Sequence, residues 1–193
     1  MVRIIEIILS RRSIQLVTFA SSVFLTSSIL ANPVLNNVSS GNATVQQTQN
    51  STVVNQTSQK VIINWNSFNI GSGESTHFQQ PNGGVALNRI SGSQGASQIY
   101  GRLTATGQII LVNPAGIYFG PSAYVNVGGL IAATANISDQ NFLSGNYKFT
   151  NATALAGSII NEGTIIAAQN GLVALIGSAV SNKGLIQADL GKV

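Results

Sequence analysis

A parallel β-helix, an all-β solenoid of short strands and tight turns, is the fold this sequence predicts, and three observations predict it. Charged residues make up only 7% of the 193-residue chain, against roughly a quarter in ordinary globular domains. Small and β-branched residues dominate instead, interrupted by Gly and Asn, a composition that favours strands and turns and lacks the high charge of disordered chains. The second observation is rhythm, with short apolar runs ending again and again in Gly, Asn or Pro. The third is an internal repeat. Ser158 to Ala167 aligns with Ala179 to Ala188 at an offset of 21 residues, matching Asn161 with Asn182, Gly163 with Gly184, Ile165 with Ile186 and Ala167 with Ala188. A period near 20 residues marks a solenoid whose units bury their apolar faces only by stacking. Leucine-rich repeats share that period, but their regular Leu spacing is missing. Asn at matching turns predicts a side-chain amide ladder along the stack.

In chain order, Met1 to Arg12 carries Arg3, Arg11 and Arg12, and an interrupted apolar run extends to Leu30. Ala31 is a small residue before Asn32-Pro33, so residues 1–31 are expected to be a secretory signal peptide cleaved after Ala31. The run is just long enough to span a membrane, but Ser and Thr break it up. Ser10-Arg11-Arg12 hints at a twin-arginine signal, which Ser13-Ile14-Gln15 fits poorly. Residues 32–60 are polar, with Val45, Val53 and Val54 marking short edge strands. This stretch is expected to cap the open end of the stack, where unpaired strand edges need cover. Val61 to Ile70 follows, with Ile63 and Trp65 on one strand face and Phe68 and Ile70 as further core. Glu74 to Gln80 is a second strand before the turn Pro81-Asn82-Gly83-Gly84, and Val85 to Ile90 and Ile99 to Leu103 come next. The continuous run Ile109 to Val112 predicts a strand buried on both faces. It enters the tight turn Asn113-Pro114-Ala115-Gly116-Ile117, where Pro fixes φ and Gly relieves the backbone. Val125 to Val127 and Leu130 to Ala133 lead on to the repeat. The chain stops at Leu190 to Val193 in mid-rhythm, so a longer polypeptide is expected.

The net charge of +4 is no basic patch. Beyond Ala31 six basic residues meet four acidic ones, spread thinly. Nucleic-acid binding needs a clustered basic stripe and is not expected. There is no cysteine, which excludes disulfides and thiolate metal sites. In an exported chain that also avoids cross-linking in an oxidising periplasm.

The blocks Asn64-Trp65-Asn66-Ser67-Phe68-Asn69-Ile70, Phe78-Gln79-Gln80-Pro81-Asn82, Ala86-Leu87-Asn88-Arg89-Ile90, Gly101-Arg102-Leu103, Asn113-Pro114-Ala115-Gly116-Ile117 and Gly128-Gly129-Leu130-Ile131-Ala132 occur in that order. Together, over residues 35–193, they closely resemble the N-terminal two-partner secretion domain of filamentous haemagglutinin and related high-molecular-weight adhesins. The family turn is Asn-Pro-Asn-Gly-Ile, and Ala115 replaces its second Asn, so one side-chain amide is lost while the turn formers stay. A second family signature, Asn-Pro-Asn-Leu, is absent, which places the chain nearer the adhesin branch. The resemblance implies a right-handed parallel β-helix over residues 32–193, with an N-terminal cap and extra-helical strands. It implies export to the periplasm in a Gram-negative cell and recognition by a dedicated outer-membrane β-barrel transporter through its periplasmic receptor domains. Unfolded passage and folding outside would follow, giving a secreted or cell-surface protein. Host-cell surface ligands would fall to regions C-terminal to this one. Few charges and no cysteines suit a narrow pore and argue against twin-arginine export, which carries folded cargo. Exposed β edges suit strand addition to a receptor, and Val61 to Ile70 and Ile109 to Ile117 are the expected contacts. Asn64, Trp65, Phe68, Asn69, Ile70, Asn113, Pro114, Ala115, Gly116 and Ile117 are therefore the candidate residues for transporter recognition or fold nucleation, against the plainer role of core and turn.

Catalysis is not expected. Parallel β-helices host polysaccharide lyases and hydrolases, but those need clustered carboxylates. A β-helix could bring Glu162 and Asp189 onto neighbouring coils, yet they do not align in the repeat. His77, the single histidine, reads as a partly exposed strand residue, with no partner for a metal. No nucleophile elbow is present, and no cofactor is implied. Asn37, Asn42, Asn50, Asn55, Asn136 and Asn151 sit in Asn-x-Ser/Thr sequons, which chance produces in such a composition. The alternative to a secretion domain is a cell-surface or carbohydrate-binding β-helix acting without a transporter.

Overall fold

The computed structural model describes residues 31–150 and 157–193. Its elements are β1 (Val34–Ser40), β2 (Ala43–Gln47), β3 (Ser51–Gln56), β4 (Lys60–Ser67), β5 (Ser75–Gln79), β6 (Val85–Ile90), β7 (Ser97–Ile99), β8 (Arg102–Ala105), β9 (Gln108–Val112), β10 (Ile117–Phe119), β11 (Tyr124–Val127), β12 (Gly129–Ala133), α1 (Asp139–Ser144), β13 (Ser158–Asn161), β14 (Thr164–Ala167), β15 (Val173–Ile176), β16 (Ala179–Asn182) and β17 (Leu185–Ala188). They form three sheets, in the orders β1-β4-β6-β9-β12-β15, β16-β13-β10-β7 and β17-β14-β11-β8-β5-β3-β2. Each coil contributes a strand to each sheet, as in β6-β7-β8 and β9-β10-β11, and stacked coils pair in parallel. This is the all-β parallel β-helix the sequence predicts. The signal-peptide assignment lies outside the described residues apart from Ala31, whose N–H donates to Glu74 Oε1 at 2.8 Å.

Alternation sends every second side chain inward, and stacking turns these into columns. One column runs Thr76, Leu103, Val125, Ile165, Ile186, set by parallel register across five strands. The predicted alignment of the repeat holds. Asn161 pairs with Asn182, Ile165 with Ile186 and Ala167 with Ala188. The amide ladder forms, with Asn161 Nδ2 donating to Asn182 Oδ1 at 2.8 Å and Asn161 Oδ1 accepting from Gly163 N–H. Gly184 is needed for this stacking, because a Cβ there would sit 2.1 Å from the Gly163 carbonyl oxygen.

The N-terminal residues cap the stack with extra-helical strands. β1 lies antiparallel on β4 through three irregularities of register, and β2 lies antiparallel on β3. Leu35, Val38, Ala43 and Val45 close the end of the core. One expectation is corrected here. β2 is an edge strand, but β3, with Val53 and Val54, sits between β2 and β5. Val54 is fully buried because it is the first member of the Phe78 column.

The six-stranded sheet is apolar on both faces. Ile109 and Leu111 point into the main core, while Ile110 and Val112 belong to a second cluster outside it with Ile62, Leu87 and Ile131. That confirms the two-sided burial expected of Ile109 to Val112. The outer cover is an excursion between β12 and β13 that carries α1, and it buries Ile137 and, from α1, Phe142 in that cluster. Ser138 caps the helix N-terminus and Gly145 ends it in the left-handed region.

Candidate functional site

Asn113 to Gly116 forms a β-turn closed by the Gly116 N–H donating to Asn113 O at 3.0 Å. The side chain of Asn113 is fully buried and uses both ends. Its Oδ1 accepts from Ala115 N–H at 2.9 Å, while Nδ2 donates to Gly95 O at 3.1 Å and to Ser97 Oγ at 3.0 Å. One amide thus organises its own turn and ties it to the preceding coil. Gly116 has φ +115°, open to glycine and strained for other residues. Pro114 O accepts from Gly157 N–H at 2.7 Å, which anchors the next coil. Ala115 enters this network through its backbone alone, so loss of the family amide leaves the turn intact.

The first block forms the opposite edge of the same region. Asn64 Nδ2 donates to Asn37 Oδ1 at 2.7 Å, linking β4 to the cap. Trp65 is buried, and its Nε1 donates at 2.9 Å to Oδ1 of Asn88. Asn88 is itself buried, with Nδ2 donating to Ala86 O and Ile110 O. Trp65 meets Phe68 edge-on at 5.3 Å, and Phe68 stacks on Phe78 at 6.5 Å. Asn69 Oδ1 accepts from Gln98 N–H, and Ile70 bridges to Ile99. The structure brings Asn64, Trp65 and Pro114 to one groove, together with Arg89, while Phe68 to Ile70 lie at the next corner and Ile117 is inside the core on β10.

Of the ten candidates, Trp65, Phe68, Ile70, Asn113, Gly116 and Ile117 are buried, and Asn64, Asn69, Pro114 and Ala115 are half-buried. Sequence reasoning missed Arg89. Its Nε donates to Asn136 Oδ1 at 3.2 Å, its Nη2 donates to Ile137 O at 2.7 Å, and the same Nη2 pairs with Asp139 at 2.8 Å. It also missed Lys60, whose Nζ donates to Phe142 O and Leu143 O. Two cations thus hold the excursion down, and the rarity of charge in this chain was the available signal.

Among the described residues the remaining ionisable groups form no reactive cluster. Glu162 accepts from Tyr118 OH at 2.6 Å and meets Lys183 Nζ at 3.5 Å. The Tyr118 bond, helped by Lys183, holds the Glu162 carboxyl below its ordinary range, and the same bond first, then burial, pushes Tyr118 up to about 12. Asp189 instead accepts from Gln187 Nε2, so the two carboxylates are not brought together. His77 is half-buried on β5, with Nδ1 at 2.8 Å from Thr104 Oγ1. Among the described residues no group of three or more His, Cys, Asp or Glu is placed to hold a metal.

The three sheets and the buried turns between them define a β-solenoid domain. The chain belongs to the TPS (two-partner secretion) secretion domain family, which it matches over residues 28–191. Proteins of this class are secreted across the outer membrane and engage a dedicated transporter there. Two heme/hemopexin-binding proteins of Haemophilus influenzae are similar to it. The one from strain Rd is 37% identical over 156 residues, 77% of this chain and 17% of the relative; the other is 40% identical over 115 residues, 58% and 12% respectively. The chain therefore spans less than a fifth of the length of these relatives. The HMW1 secretion domain from Haemophilus influenzae has the same fold, with a TM-score of 0.75 and 36% identity over 80% of this chain and 42% of that one.

Proposed function

We propose that residues 32–193 deliver a larger exoprotein, an adhesin, to its own outer-membrane β-barrel transporter and then start β-helix folding outside the cell. Residues 1–31 serve as the signal peptide that brings the chain to the periplasm. The transporter's periplasmic receptor domains read Asn64 to Ile70 and Asn113 to Ile117 while the chain is still unfolded. The observation that carries this reading is burial. Six of the ten candidate side chains or backbone positions are inaccessible in the folded solenoid, so a receptor reaches them only before the coils stack. Folding then removes the recognised segments from solvent, and a folded domain outside does not rebind. Host-surface attachment, or the heme and hemopexin binding named for the relatives, falls to the rest of the exoprotein. The domain itself is non-catalytic.

The test is expression of residues 1–193 in a Gram-negative host with and without the cognate transporter, measuring protein in the medium. Appearance only with the transporter is expected. Retention in both cases, with the transporter active on another substrate, would refute the reading. Denatured and folded chain are then compared for binding to the isolated periplasmic domains, and tighter binding by the folded form would overturn recognition before folding.

A further inference from the structure

The groove beside the Asn113 turn offers more than a turn requires. It encloses about 340 Å³, at the small end of ordinary ligand clefts. It crosses β1, β4, β6 and β9, which are consecutive neighbours in the six-stranded sheet. Asn64, Arg89 and Val112 stand in register on adjacent strands, so they form one row running along the solenoid axis. Asn36, Pro114 and Asn136 complete its walls.

The row repeats at the strand spacing, roughly 4.7–4.9 Å. A pyranose ring in a linear glycan spans close to that interval, whereas an extended peptide advances by about 3.3–3.4 Å per residue and falls out of step. Carboxamides that both donate and accept suit hydroxyl groups, and the half-buried Pro114 gives apolar ground for a sugar face, with the buried Val112 forming the floor beneath it. The charge is specific as well. Arg89 is the cation of the groove, and it spends Nε and Nη2 on the excursion. Its Nη1 has no hydrogen-bond partner among the described residues, which leaves one donor edge for a carboxylate.

We propose that this groove binds a short anionic polysaccharide segment in the folded domain, with a uronate carboxylate on Nη1 of Arg89 and sugar hydroxyls on the amides of Asn64, Asn36 and Asn136. The site belongs to the folded state and stands apart from secretion, so it works whether or not a transporter reads the unfolded chain.

The test is calorimetric titration of the folded 193-residue chain with tetragalacturonate, with maltotetraose as the neutral control and tetraglutamate as the acidic peptide control. Saturable binding of tetragalacturonate alone is expected. Arg89→Gln weakens it by about tenfold or more, as loss of a charged hydrogen bond does, and Arg89→Lys, which keeps charge but not the planar fork, falls between. Asp139→Asn, which removes the competing carboxylate, tightens binding. That last variant separates a ligand role from a holding role, because it loosens the same excursion contact without removing the cation. Absence of saturation with the wild-type chain would overturn the proposal. So would equal binding of maltotetraose or tetraglutamate, or equal weakening by Arg89→Gln and Asp139→Asn.

Discussion

Asn113→Ala removes a buried amide that makes three hydrogen bonds, to Gly95 O, Ser97 Oγ and Ala115 N–H. It leaves the buried Ser97 hydroxyl short of a partner, while Gly95, an exposed residue, can turn its carbonyl to water, so a loss of about 1–3 kcal/mol is expected in urea unfolding. A loss within about 0.5 kcal/mol, the range of neutral surface changes, would show that water replaces the amide without penalty. Asn113 was legible because Asn-Pro followed by Gly specifies a turn chemically. Arg89 was not, because its role depends on an excursion more than 40 residues later in the chain. Tyr118 and Glu162 make a residue-scale prediction about pH. The carboxyl of Glu162 is held low by the Tyr118 bond, so the pair's contribution is present above the ordinary carboxylate range and disappears as pH falls through the lowered value. Tyr118 is pushed up to about 12 first by the same bond, so while Glu162 is ionised the pair contributes fully below the phenol's ordinary value near 10, and that contribution is lost as pH rises toward 12. Tyr118→Phe is therefore expected to lower the melting temperature at pH 7 and to match the wild type in strong acid. A deficit unchanged between pH 7 and pH 2 would remove the pair as its cause.

Among the elements, the excursion is the piece whose stability is local. Phe142 is buried against the outer apolar cluster, and Lys60 holds the two carbonyls behind it from beneath, with its Nζ 5.6 Å from the ring centre. Phe142→Ala is expected to release this cover without unfolding the solenoid, since the inner columns do not depend on it. Hydrogen exchange should speed up over residues 134–150 and stay slow in β9 and β12. Loss of protection in β9 as well would show that the cover and the coils form one cooperative unit. The strands carried a clear sequence signal in their alternation and turns, and the two-faced burial of Ile109 to Val112 was readable from its unbroken apolar run. The cover was not. α1 is six residues long, too short for a helical period to appear, and its single anchor, Phe142, lies in a polar stretch. The sequence announced that a second face needed covering and withheld what covers it.

At the scale of the whole molecule, stability runs along one axis. Each coil pairs only with its neighbours, so a perturbation is felt through successive interfaces rather than through a shared centre. Trp65 and Ile165 lie toward opposite ends of that stack. Trp65 fills the first full coil beneath the cap, meets Phe68, and hydrogen-bonds to Asn88. Ile165 is equally buried, but in residues 1–193 taken alone one described coil stacks beyond β14, and its Leu185 and Val180 are about half exposed. Trp65→Ala is expected to cost about 3–5 kcal/mol, and the capped end, on which the later coils are built, should lose protection throughout. Ile165→Ala also creates a cavity, but opening of the last two coils relieves it, so its penalty is limited to the stability of those coils. Hydrogen exchange on residues 1–193 taken alone should show protection falling from β6 toward β17, with Ile165→Ala moving the boundary of fast exchange inward and leaving β4 to β8 unchanged. Uniform loss across all coils in both variants would mean that the solenoid unfolds as one unit. Folding would then offer no stepwise pull on a chain emerging from a pore, since coils formed early would have no stability of their own to hold what had already passed.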